Sequence, residues 1–242
     1  MRTLTLLFSF MVAFPFVLSA QSAGELLQKV SAALSEGQDD YAVSLFRQSV
    51  KAGADQTEMF YWTQVEKNSA VAPRLVNELA TYYKRKRNYD KAYLFYREFL
   101  QYHSDDVPAL VSCAEMEMMR GKEKDAVKTY EKVLILDANN LQANIFLGNY
   151  FYLQAEREKK KLEDDYKKIT SPTRMQYASY EWEKNRILDT DFREAASYLE
   201  KADKQYTTPY LRKTLYSIYT RLAEIGKAEM ILNESKSRKK SP

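Results

Sequence analysis

Large and small apolar positions recur through the middle of the chain at a constant offset of 34 residues. Leu79, Cys113 and Leu147 form one row, Ala80, Ala114 and Gly148 a second, and Tyr83, Glu117 and Phe151 a third. Ala92 in Tyr89-Asp90-Lys91-Ala92 returns as Ala126 in Glu123-Lys124-Asp125-Ala126; Tyr96 returns as Tyr130, and Phe99 as Val133. Self-similarity at such a period marks a supersecondary unit stacked on copies of itself.

Counted from Pro73, Val107 and Leu141, these rows are positions 7, 8, 11, 20, 24 and 27 of a 34-residue unit. The pattern of large, small, aromatic, Ala, aromatic and small residues resembles the tetratricopeptide repeat. Small residues at positions 8 and 20 let two helices approach closely, and larger ones fill the gaps beside them. The copy from Val107 fits best, ending in Leu136-Asp137-Ala138-Asn139-Asn140; Glu117 departs from the aromatic at position 11, and Phe99 is bulky at position 27. The resemblance implies an all-α solenoid, a right-handed superhelix of antiparallel helix pairs.

The expected organisation is a leader over 1–20, helical repeats over 21–235 and a basic tail over 236–242. A degenerate repeat covers 23–56, with Ala42 and Phe46 at positions 20 and 24; regular ones cover 73–106 and 107–140. The next covers 141–208 with an insertion over 154–190, and the last covers 209–235, with Leu215, Tyr216, Tyr219, Ala228 and Leu232 at positions 7, 8, 11, 20 and 24.

Two stretches break the period. Thr57 to Lys67, with Met59, Phe60, Tyr61, Trp62 and Val65, reads as an extra helix filling the seam after the first repeat, or else as an exposed aromatic anchor. In the insertion, Glu156 to Lys168 continues a helix with pairs Glu156–Lys160, Glu163–Lys167 and Asp164–Lys168. Ser171-Pro172 predicts an N-cap and first helical residue, Met175, Ala178 and Trp182 one apolar side of a returning helix, and Asp191 with Glu194 a capping box restarting helix B at Ala195, Leu199 and Ala202. This antiparallel hairpin presents a solvated charged face, or a grip for a partner or another copy.

The resemblance further implies a concave surface lined by helix A positions 2, 5, 6, 9, 12 and 13. These are Arg74, Asn77, Glu78, Thr81, Lys84 and Arg85 in one repeat, and Pro108, Val111, Ser112, Glu115, Met118 and Met119 in the next. The third supplies Gln142, Ile145, Phe146, Asn149, Tyr152 and Leu153. The candidate partner-binding residues are Arg74, Asn77, Lys84, Arg85, Met118, Met119, Asn149 and Tyr152: a basic end beside an apolar patch, suited to a peptide with apolar anchors and an acidic flank. The family's Lys and Asn clamp for a C-terminal carboxylate is not reproduced. The alternative is an envelope protein that binds a polymer or membrane surface through the charged hairpin and basic tail.

Composition narrows the remaining chemistry. Gly and Pro number six each in 242 residues, less than half of average usage, too few turn residues for many short strands. The net charge of +4 is no nucleic-acid footprint. One cysteine, Cys113, excludes an intramolecular disulfide, and it falls at a core position; one histidine, His103, without a second ligand at metal spacing, leaves no metal site. No phosphate-binding glycine loop or nucleophile elbow occurs, so neither catalytic residues nor cofactors are expected.

Met1 and Arg2 precede an apolar run from Leu4 to Leu18, broken by Pro15 and followed by Ser19-Ala20-Gln21, which reads as a secretory leader cleaved after Ala20. The run falls short of the roughly 20 residues needed to span a bilayer, so no stable membrane insertion is expected once it is removed. Absence of disulfides suits a periplasm, with an extracellular space as the alternative. The expectation is an exported, non-catalytic adaptor for a protein or peptide partner.

Overall fold

The computed structural model describes residues 21–238; the leader lies outside them, as does the tail beyond Arg238. The chain divides into two compact bodies, one ending at Tyr82 and one beginning at Tyr83. Among the described residues all regular structure is helical, of the TPR-like solenoid class.

In the N-terminal body, α1 (Ala23–Ser35) opens with a reciprocal cap. The Ser22 hydroxyl accepts the Glu25 N–H at 3.2 Å, and the Glu25 carboxylate accepts the Ser22 N–H at 3.3 Å. These bonds occupy donors that the first helical turn leaves unpaired. Leu26, Leu27, Val30 and Ala33 form its buried stripe, packed against Ala42, Val43, Phe46 and Val50 of α2 (Asp39–Ala52). The extra helix α3 (Ala54–Gln64) follows at once. It splits the aromatic cluster: Tyr61 and Val65 are buried and Phe60 lies 6.4 Å from Phe46, while Met59 and Trp62 remain exposed. Helix α4 (Ala72–Arg85) runs across the division at Tyr82.

The C-terminal body continues with α5 (Tyr89–Tyr102), α6 (Val107–Met119), α7 (Glu123–Leu136) and a 27-residue α8 (Leu141–Lys167). Then come α9 (Arg174–Ile187), α10 (Arg193–Gln205), α11 (Pro209–Arg221) and α12 (Ile225–Arg238). Ala114, Ala126, Val133, Ala143 and Leu147 form the centre of one core cluster, and Ile187, Phe192, Ala195, Leu199, Leu215 and Ile218 that of a second. Gly148 shows why position 8 must be small: a Cβ there would lie 2.5 Å from Leu199 Cγ, so its absence lets α10 close onto α8.

The turns within the helix pairs repeat one hydrogen-bond pattern. Gln38, Asn88, Lys122 and Glu224 donate their N–H to the carbonyls of Ala33, Tyr83, Glu117 and Tyr219, at 2.8 to 3.0 Å. Each bond spans a residue in the left-handed region: Gly37, Arg87, Gly121 or Ala223. This is the six-to-one bond of a Schellman ending, which favours glycine. Before α12 the turn is taken by Ala223, and the nearby Gly226 lies inside the helix.

The insertion differs from its sequence reading in four respects. Thr173 caps α9, its hydroxyl accepting the Gln176 N–H at 3.2 Å, and Ser171-Pro172 stays in the loop. Asp191 and Glu194 cap no new helix, because a π-helical turn over Leu188–Phe192 carries α9 directly into α10, anchored by the buried Phe192 ring. The helix pairs are Lys159–Glu163, Asp164–Lys167 and Asp165–Lys168, while Glu156 reaches Arg221 at 3.0 Å. Met175, Ala178 and Trp182 face outward; the face of α9 toward α8 carries Tyr180, stacked on Tyr166 at 4.2 Å, and Arg186, 3.5 Å from Glu158.

Candidate functional site

In the C-terminal body the ends of helix A elements and the turns beside them enclose two adjoining hollows. One, of about 690 Å³, is lined by Lys84, Arg85, Arg87, Tyr89, Glu115, Met116, Met118, Met119 and Tyr130. The other, of about 420 Å³, is lined mainly by Met118, Tyr130, Ile145, Phe146, Tyr150 and Leu153, with Glu115, Glu123, Gln142, Asn149 and Arg157 around them. Glu115, Met118 and Tyr130 line both, so the hollows adjoin along these residues and together make up the candidate groove.

The apolar wall is held by ring contacts. Tyr130 of α7 lies 4.6 Å from Phe146 of α8, and Phe146 lies 6.1 Å from Tyr150 one turn further on. Burial pushes the Tyr130 phenol well above its ordinary value, and the charges of Glu115 and Glu117 act in the same direction, so the ring serves as a neutral surface. Met118 and Met119 add unbranched, polarizable side chains that adapt to the shape of what they touch.

Polar groups are distributed unequally. The Lys84 ammonium is bonded to the Glu115 carboxylate and lies 3.3 Å from Ser112 Oγ, so its charge is neutralised within the wall. Arg85 and Arg87 are exposed and form no ion pair among the described residues. Asn149 donates from Nδ2 to the Ile145 carbonyl at 2.8 Å, while its shielded Oδ1 finds no donor among the described residues. An acceptor left this way costs about 1–3 kcal/mol.

Of the residues singled out from the sequence, Lys84, Arg85, Met118, Met119 and Asn149 line this groove. Arg74 and Asn77 belong to the N-terminal body, where both are exposed and Arg74 meets Asp40 at 2.5 Å. Tyr152 is not a groove residue: it packs edge-on against Phe192 at 6.1 Å, shares a hydrogen bond with Ser217 and joins the second core cluster. Position 12 is concave where the next helix is an ordinary helix B; here the π-turn and α11 cover Tyr152, while Leu153 at position 13 still lines the groove.

Tyr130, Tyr150, Arg157 and Arg87 were missed. Tyr130 sits at a core position of helix B and serves both the core and the groove. The 34-residue offset carried a signal for Arg87, which stands in register with Gly121 and takes the same left-handed conformation.

Other reactive groups stand apart. Cys113 is buried, and burial pushes its thiol up to about 12, leaving no thiolate at neutral pH. His103 ends α5, exposed and packed on Phe99 at 4.9 Å. Among the described residues no cluster of His, Cys, Asp and Glu could hold a metal ion, and no helix is long and apolar enough to cross a membrane.

The crystal structure of a Bacteroides ovatus protein, named "a putative protein binding protein", is 52% identical to this chain, covers 85% of it and 100% of its own length, and superposes with a TM-score of 0.75. A tetratricopeptide repeat protein from Parabacteroides merdae is 16% identical, covering 90% of this chain and 80% of its own, with a TM-score of 0.37. The MamA protein is 12% identical, covering 91% and 96%, with a TM-score of 0.48. No protein-family model matches the chain, and no curated protein matches it closely.

Proposed function

We propose, from the premise that this chain belongs to the tetratricopeptide-repeat family and has a protein-interaction role, that it holds a segment of a partner protein in the groove of its C-terminal body without catalysing a reaction. The observation that carries this reading is an apolar wall flanked by exposed arginines that form no ion pair among the described residues, Arg85 and Arg87 at one end and Arg157 at the other. Met118, Ile145, Phe146 and Leu153 offer contact to two or three apolar side chains, while Arg85 and Arg87 attract acidic residues flanking them. Affinity comes chiefly from the apolar anchors, because exposed charges govern encounter rate and salt dependence more than strength.

Met119 and Leu153 are exposed, so Met119→Glu combined with Leu153→Glu leaves the fold intact. The double variant should lose capture of specific proteins from an envelope extract, identified by mass spectrometry, while keeping its helical circular dichroism. Unchanged capture by a folded double variant would remove the groove from consideration. The reading includes export, supported by the apolar run from Leu4 to Leu18; N-terminal sequencing of protein from the native host should begin at Gln21, and a chain beginning at Met1 in the cytoplasm would refute it.

A further inference from the structure

The projecting hairpin leaves one helix face without a partner. Met175, Ala178 and Trp182 follow one another at steps of three and four residues, and all are exposed, Met175 to 81% and Trp182 to 67%. That spacing places them in one stripe along α9. Their exposure does not come from a poorly seated helix, since Tyr180, Arg186 and Ile187 hold α9 against α8 and the second core cluster. The helix therefore has two apolar sides, and only one is used within the chain.

We propose that the outer face of α9 docks against the same face of α9 in a second copy of this chain, antiparallel and crossing at Ala178. The residue pattern is self-complementary in that arrangement. A two-fold axis at Ala178 puts the two small side chains against each other, where close approach is needed. Met175 of one copy then lies beside Trp182 of the other along one flank. On the opposite flank Arg174 lies beside Glu181 of the other copy. Arg174 is exposed and has no carboxylate within its own chain among the described residues, whereas Glu181 has only the Lys184 bond at 2.6 Å. Each flank occurs twice by symmetry, so the contact offers two apolar pairs and two ion pairs around one small-residue crossing. Such self-complementarity is the requirement of an isologous interface.

The face is short. Stable interfaces cover about 800 Å² per partner, and one exposed Trp with Met and Ala at its side supplies roughly half of that. The dimer is accordingly reversible, with a dissociation constant on the order of micromolar. The groove lies on other residues, so this docking stands or falls apart from the partner-binding reading.

The full chain without its leader is examined by sedimentation equilibrium up to about 100 µM. Dimerisation is expected, and Trp182→Ala should weaken it roughly tenfold or more. Arg174→Glu and Glu181→Arg should each weaken it, and the two together should restore it, which only the antiparallel pairing of like helices predicts. Because α9 variants could loosen the hairpin, a second measurement uses the native surface: Ala178→Cys should form a disulfide-linked dimer under mild oxidation far faster than Ser197→Cys, an exposed site on α10. A monomer across the whole range would overturn the proposal, as would equal cross-linking at the two sites or failure of the charge exchange to restore association. So would binding of the monomer to anionic lipid vesicles through Trp182.

Discussion

The hairpin joins the repeats through α8 at one end and through the π-turn into α10 at the other, yet hairpin and repeats are held together by different forces. In the repeats, Ala114, Ala126, Ala143 and Leu147 are fully excluded from water, and neighbouring helices touch through them. Full burial of a residue such as Leu147 contributes about 1.5–3 kcal/mol. In the hairpin, Ala155 and Ile187 are the buried apolar residues of the described α8 extension and α9, with Leu162 partly buried; the Tyr166–Tyr180 stack and the Arg186–Glu158 ion pair cross between the helices, and the pairs Lys159–Glu163, Glu181–Lys184 and Glu183–Arg186 run along single helices. Exposed ion pairs contribute about 0–1 kcal/mol each. The difference teaches that a repeat protein can extend one helix pair beyond its core, provided charge keeps the extension soluble. The extension is therefore expected to open locally without costing the array its stability.

The largest expected effect is at the repeat core. Gly148→Val puts branched carbon where Leu199 Cγ already lies 2.5 Å from a bare Cβ position, with the Ala195 carbonyl 3.3 Å away. Both neighbours are in packed helix, so relief requires α10 to move. The expected loss is about 3 kcal/mol in urea unfolding, and a loss below about 1 kcal/mol would mean that the α8–α10 contact is looser than it looks.

Acid separates the two regions by sign. Glu117 of α6 is buried, which raises its carboxyl above the ordinary range despite the Thr129 hydroxyl that donates to it at 2.7 Å. A carboxyl raised in the folded state binds its proton more tightly there than in the unfolded chain. Its contribution is therefore most favourable below about pH 4.3 and declines as pH rises through the folded value. Glu163 and Glu183 are lowered, chiefly by hydrogen bonds from Lys159 and Arg186. Their contribution is present above the ordinary glutamate value and is lost as pH falls through the folded value. Glu117→Gln should raise stability at neutral pH by about 1 kcal/mol and remove its share of the pH slope, read from urea midpoints between pH 4 and 8. The stability of the variant relative to the native chain should therefore increase with pH over this range, and a constant difference would show that the Glu117 carboxyl is not raised in the folded state.

The repeat register was legible because close helix approach demands small residues at fixed places: Ala80, Ala92, Ala114 and Ala126 are fully buried, and a Cβ on Gly148 would meet Leu199. The hairpin was legible as a charged helical extension, but not in its detail. Hydrophobic spacing identified the Met175, Ala178 and Trp182 stripe, yet spacing cannot say whether a stripe meets its own chain or another. Nor did it show the π-turn, which depends on the burial of Phe192, a tertiary fact. At the groove, Met118 and Asn149 followed from repeat position; Tyr152 did not, because the rule assumes an ordinary helix B after helix A, and here thirty-odd inserted residues intervene.

Hydrogen exchange should locate the boundary between the regions. Arg186 bonds Glu183 at 2.6 Å and approaches Glu158 at 3.5 Å and Asp191 at 3.7 Å, so it ties α9 to α8 and to the π-turn. Arg186→Met keeps the aliphatic bulk and removes the charge. Amides of α9 should open with at most about 1 kcal/mol less free energy, and 1 M salt should produce much of the same change in the native chain. Amides of α6 and α7 should be unaffected. If they lose protection together with α9, the hairpin and the repeats are one cooperative unit and the contrast between them fails.

The smallest effect concerns the turns, where Arg87 adopts φ of +58° in a place that Gly121 occupies at +72° in the next repeat. A side chain in that region costs about 1 kcal/mol relative to glycine. Glycine in exchange gives the unfolded chain more freedom, which returns about 0.4–1 kcal/mol of the gain. Arg87→Gly should therefore stabilise the protein by a few tenths of a kcal/mol, visible as a small rise in the urea midpoint. If Arg87 is kept in a strained turn because its guanidinium serves the groove, the same variant should bind its acidic partner segment more slowly at low salt while being the more stable protein. A variant that is more stable and binds at the native rate would leave the strain at Arg87 without a functional return, and the groove would keep Arg85 and Arg157 as exposed arginines with no ion pair among the described residues.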